Sequence, residues 1–172
     1  ANMVHYTGYE IAPGNIRLPD AKWHRIGHML GTADLIAQMS DRCYLEKCRD
    51  RLFPEFVLGG LSVSVDDKGN ENVLYESGED LLAKTPGFYE HEVEKRLNTV
   101  FNKAYKYEEV HFDGERHYLN GLGKNQVYLK KVLAAGDFGL LRRVPPENYG
   151  SRNFPGLESY LNQHPLKKQK HG

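Results

Sequence analysis

Apolar positions recur at helical spacing through most of this chain, separated by short clusters of glycine, proline and small polar residues. After an irregular start over 4–19, punctuated by Gly8, Pro13, Gly14 and Pro19, Asp20 stands ahead of a periodic run. A carboxylate there accepts from the free amides of a first helical turn. Trp23, Ile26, Leu30, Ala33 and Ala37, with Met29 and Ile36 nearby, predict a helix to about Ser40. Tyr44, Leu45, Cys48, Leu52 and Phe56 predict a second helix over 41–56, with Pro54 set to kink or end it and Gly59-Gly60 to stop it. A short helix is predicted from Ser77 to near Pro86. The longest follows over 90–107, with Val93, Leu97, Val100, Phe101 and Ala104 on one face. Residues 108–123 read as irregular, and 124–135 as helix on Val127, Leu129, Val132 and Leu133.

Residues 61–76 leave two readings open. Leu61, Val63 and Val65 alternate with serines, and a turn at Asp67-Lys68-Gly69-Asn70 can return the chain as a hairpin; a surface loop fits equally. Pro145-Pro146 closes the predicted fold, Leu157–Leu161 reads as one last turn, and the Lys167-Lys168-Gln169-Lys170 tail as disordered. No internal repeat is visible. The expectation is an all-α domain, an irregular helical bundle over 20–150 with room for one small β-hairpin. It is flanked by an irregular segment over 1–19 and an extension over 151–172.

Composition narrows the classes. The 172 residues suit one domain with a real core. Lys plus Arg and Asp plus Glu both number 23, so the formal net charge is zero. Such a balance gives no general pull toward nucleic acid or an anionic membrane. No apolar run approaches the roughly 18 residues of a membrane span, and no signal peptide is evident. Cys43 and Cys48 are five apart in predicted helix and point about 140° apart, so they are expected to stay free thiols. Two thiols without a zinc framework fit a reducing, cytoplasmic setting. Ala1 and Asn2 ahead of Met3 read as an expression remnant.

The chemistry concentrates in one stretch, His28 to Arg42. Gly31 inside a helix costs about 1 kcal/mol relative to alanine, so it is expected to admit close approach of another element, with Ala33 and Ala37 extending the small face. Asp34 sits among apolar neighbours, where a carboxylate needs a partner or a cation. Asp41 lies seven residues on, with Gln38 between them on the same face. A divalent metal in a phosphohydrolase takes such oxygen donors, activates water and clamps phosphate. The plain alternative is that Asp34 pairs with an arginine or caps a neighbouring helix.

The run GTADLIAQMSDRCYLEKCRDRLFPEF, Gly31 to Phe56, resembles the C-terminal helices of HD-domain, metal-dependent phosphohydrolase-like proteins. Gly-Thr-Ala-Asp, Gln-Met-x-Asp-Arg and Tyr-Leu-Glu-Lys occur in the family's order, and a looser match extends over 5–89. The resemblance implies that Asp34 is the last metal ligand of an HD site, with manganese, iron, magnesium or zinc as cofactor. The family's other ligands, a His and an adjacent His-Asp pair, come earlier in the chain. This sequence contains no His-Asp dipeptide, and its only histidines before Asp34 are His5, His24 and His28.

Other candidates are weaker. His24 and His28, four apart, share a helix face and can grip a metal, though two polar-face histidines are the plainer reading. Arg42 and Lys47 are candidates to steady a phosphate, in a basic flank that includes Arg49 and Arg51 and usually forms a salt-bridged face. His111, Asp113 and His117 read as a solvated loop, and Gly121-Leu122-Gly123-Lys124 as a turn opening the next helix rather than a phosphate loop. Tyr6, Tyr9, Tyr105, Tyr107, Tyr118 and Tyr128 can line a cleft or a subunit interface.

Two functions follow. One is an HD-type phosphohydrolase, or a fragment of one, acting on a phosphoester or nucleotide. The other is a non-catalytic regulatory or assembly domain with a degenerate HD site, whose small-residue face packs a partner helix or a second copy.

Overall fold

The computed structural model describes residues 2–146. The chain is mostly helical, with one two-stranded antiparallel sheet. The main elements are α1 (Ala21–Ser40), α2 (Tyr44–Lys47), α3 (Phe53–Leu58), β1 (Val63–Val65), β2 (Glu71–Val73), α4 (Gly78–Phe88), α5 (Lys106–His111) and α6 (His117–Ala135). Tight 3-10 turns form at Asn2–Tyr6, Pro13–Asn15 and Phe138–Leu140. Cys48–Leu52, Tyr89–Val93 and Arg96–Val100 are wide, π-type turns. Expectations for 151–172 lie outside the described residues.

Two compact units form. The first, described over 2–44 and 85–131, is built on α1. Asp20 caps α1 as its position predicts, accepting from the amides of Lys22 at 2.9 Å and Trp23 at 3.3 Å. The buried side of α1 is Gly27, Gly31, Thr32, Leu35, Ile36 and Met39. It differs from the predicted stripe. Trp23, Met29 and Leu30 are 42%, 40% and 39% exposed, and Ala33 and Ala37 face solvent. The inversion has a steric cause. A Cβ on Gly27 would sit 2.5 Å from the Tyr6 ring, and one on Gly31 would sit 2.6 Å from both the Phe101 ring and the Tyr6 carbonyl. The glycines form a groove, and aromatic rings fill it.

Tyr6 and Phe101, both 0% exposed, anchor this core with Ile16, Leu35, Ile36, Met39, Val93, Leu97 and Leu122. The predicted face of 90–107 is buried at Val93, Leu97, Phe101 and Ala104. The single long helix is not there. Helix α4 runs through Pro86, and two wide turns carry the chain to Val100. A turn then intervenes, with Asn102 and Lys103 in the left-handed region at φ 50° and 56°. Helix α6 starts earlier than its apolar spacing indicates, so Gly121 and Gly123 lie inside it rather than in an opening turn. A Cβ on Gly121 would crowd Ser40 at 3.0 Å. Buried Asn125 then donates through Nδ2 to the carbonyls of Met39 and Asp41, each at 2.8 Å. These are two of the acceptors that the C-terminal end of α1 leaves without helical partners.

The second unit is described over 45–84 and 132–146. Pro54 does not end its helical stretch; it falls in the first turn of α3, where a missing amide is tolerated. Gly60, at φ +71°, ends α3 in a Schellman turn: its amide reaches Val57 O and the Leu61 amide reaches Phe56 O. The hairpin reading of 61–76 holds, with Val63 opposite Val73, Ser64 opposite Asn72 and Val65 opposite Glu71. Asp66 sets the turn by accepting from the amides of Lys68 and Asn70 at 2.8 Å each. Ser77 then caps α4 through the Asp80 amide. Buried Glu46 accepts from the Arg143 amide at 3.1 Å, and Arg51 donates to the Pro145 and Pro146 carbonyls.

Candidate functional site

Asp34 lies two-thirds of the way along α1, half-buried. Its Oδ1 accepts from Gln38 Nε2 at 3.3 Å, one helical turn on. No lysine, arginine or histidine forms an ion pair with it among the described residues. The arginine-paired alternative is therefore not what forms. Asp41, expected on the same face, is the C-cap of α1 instead, and its Oδ1 accepts from the Cys43 amide at 2.6 Å.

The two helix histidines serve the Tyr6 anchor. His24 Nδ1 shares a 2.7 Å hydrogen bond with the Tyr6 hydroxyl. The His28 ring packs edge-on to Tyr6 at 5.6 Å between centroids and lies 6.0 Å from Phe101. Burial, with His24 adding to it, holds the His28 imidazole below its ordinary pKa, so the neutral ring is favoured. Among the described residues no three His, Cys, Asp or Glu side chains converge as a metal requires. The described residues therefore do not fit a complete divalent-metal site, and Asp34 stands as a single oxygen donor.

Of the phosphate candidates, Arg42 is exposed in the turn after α1, within the unit that holds Asp34. Lys47 ends α2 in the other unit. The basic flank is partly spent on local contacts, since Arg49 Nε meets Asp50 at 2.6 Å. His111 and His117 pack edge-on against Phe112 at 4.6 and 4.9 Å, with Asp113 in a left-handed turn between them. Cys43 and Cys48 are free thiols, both buried.

Sequence reasoning passed over one buried cation of this unit. Arg96 is only 6% exposed, and its guanidinium carbon lies 3.8 Å over the centre of the Tyr9 ring. Burial raises the Tyr9 hydroxyl above its ordinary pKa; Arg96 opposes the rise, and Glu92 and Asp34 add to it. The available signal was an arginine placed between Val93 and Leu97 on the buried face of its segment.

No described helix is long and apolar enough to cross a membrane. Compared with known protein families, curated proteins and solved structures, the chain matches none.

Proposed function

We propose that this protein is an HD-type phosphohydrolase-like domain, or a piece of one, that acts on a phosphoester and contributes Asp34 as a metal-binding carboxylate. The observation that carries the reading is Asp34 itself. It is half-buried, braced by Gln38 and without a cationic partner among the described residues. A carboxylate in that setting retains lone pairs for a cation. The remaining donors would come from outside the described residues, because His24 and His28 are engaged around Tyr6. Arg42 stands in the same unit as a candidate phosphate contact, and Lys47 is a second candidate.

A second reading is favoured by the outward side of α1. Trp23, Met29 and Leu30 line that side with Ala33 and Ala37. A non-catalytic assembly domain would use such a stripe against a partner helix or a second copy. It is not the face first expected, since Gly31 is turned inward.

Metal stoichiometry of the purified chain, wild type against Asp34→Ala, separates the two after incubation with manganese, iron or zinc. About one metal per chain, lost in the variant, supports the first reading and leads to a phosphatase and phosphodiesterase screen. No metal on either protein sinks a self-sufficient HD enzyme and directs attention to self-association.

A further inference from the structure

Arg96 is the one buried cation among the described residues. Removing a guanidinium from water is costly unless its donors find acceptors. Arg96 has few. Nη2 donates to the Gly8 carbonyl, and the planar group lies over Tyr9 and 5.4 Å from the Phe101 ring centre. No carboxylate is paired with it among the described residues. A guanidinium offers five N–H donors in a fixed fork. Arg96 also bonds the Tyr9 side chain, and none of its nitrogens is both sealed from water and without a partner.

The backbone here is also specialised. Arg96 opens a wide turn whose closing bond runs from the Phe101 amide to the Arg96 carbonyl at 2.7 Å. Wide turns inside helices often accompany functional sites. The ring stacked on the guanidinium, Tyr9, is 53% exposed and lies 6.0 Å from the part-exposed ring of Phe88. A buried, stacked arginine with spare donors beside exposed aromatic surface is suited to gripping a planar or tetrahedral oxyanion bidentately.

We infer that Arg96, held by Gly8 and Tyr9, is an anion-binding residue that takes the phosphoryl group of a phosphate ester, with the organic part lying along Tyr9 and Phe88. The inference rests on the phosphoester reading and adds the group that recognises the phosphate. Asp34 and Glu92 act on the same tyrosine hydroxyl.

The test is a titration of the metal-free full chain with inorganic phosphate, followed by NMR at the Arg96 side-chain Nε–H and the Gly8 and Tyr9 amides. A saturable shift at these groups is expected. Arg96→Lys, which keeps charge but loses the fork, should weaken binding about tenfold or more. Tyr9→Leu should weaken it less. Absence of any saturable shift at Arg96 in the wild-type protein overturns the inference and leaves Arg96 as a strap on Gly8. The readout needs no metal and no turnover. Phosphate binding without metal binding would therefore sink the metal-site reading alone, and metal binding at Asp34 without an Arg96 shift would sink this one.

Discussion

The Tyr6 hydroxyl and His24 Nδ1 share a 2.7 Å hydrogen bond above the groove that Gly27 opens in α1. A residue from the irregular N-terminal segment is thereby fully buried against the helix that carries Asp34.

Gly31→Ala is expected to destabilise the protein by about 1–3 kcal/mol, because the added methyl overpacks against Phe101 and the immovable Tyr6 carbonyl. Gly87→Ala is the matched control. It lies in α4 with nothing within 4 Å of an added Cβ, and should stabilise by about 0.5–1 kcal/mol. Urea midpoints measure both. A neutral Gly31→Ala would mean that the groove is looser than described.

Acid should weaken the same groove through His28. Its folded-state pKa is lowered, so the unfolded chain takes up the proton first. The stability held by the neutral ring is complete above the ordinary histidine pKa of about 6.5 and is lost as pH falls below that value toward the folded pKa. Urea midpoints of wild type and His28→Gln, compared from neutral to mildly acidic pH, should show the steeper fall in wild type. Equal slopes would remove His28 from the account.

Asn125→Ala should cost about 1–2 kcal/mol, since the buried Met39 carbonyl loses its donor while the Asp41 carbonyl keeps only the Tyr44 amide. Asn125→Asp should be worse at neutral pH, because a carboxylate would face both oxygens, and should recover part of the loss on acidification. Thermal unfolding at two pH values distinguishes this from a simple packing loss, which would not vary between them.

Glu108 Oε1 accepts from the Tyr118 amide at 2.5 Å, in the first turn of α6. Glu108→Ala removes this cap and should cost about 1–2 kcal/mol. Hydrogen exchange at the Tyr118 amide should quicken more than exchange at the centre of α6. Uniform quickening would point instead to global loss of stability.

Much of the helical plan was readable because caps and breakers act locally. Asp20, Ser77 and Gly60 do in the fold what their side chains or backbone freedom dictate. Gly31 was legible as a point of close approach, but hydrophobicity did not place the rest of the buried side of α1. Glycine scores as neither core nor surface, yet Gly27 and Gly31 are where aromatic rings approach, and Trp23 and Leu30 are left outside. Gly121 misled for the same reason, since a glycine that admits Ser40 reads in isolation as a break. Asp34 stood out as a carboxylate among apolar residues. Arg96 did not, because its partners Gly8 and Tyr9 lie more than eighty residues away in the chain.

The wide turns change what an insertion or deletion would do. Each π-type turn closes over one residue more than an α-turn, so Tyr89–Val93 already carries a surplus position. Deleting exposed Glu90 or His91 can return the segment to ordinary helix while Leu97 and Phe101 keep facing α1. A one-residue deletion within Ala21–Ser40 has no such slack, and would swing Gly31 about 100° away from Tyr6 and Phe101. Relatives of this chain that differ in length should therefore carry their one-residue gaps in the segment leading to Arg96 and keep the spacing from Asp20 to Asp34 constant.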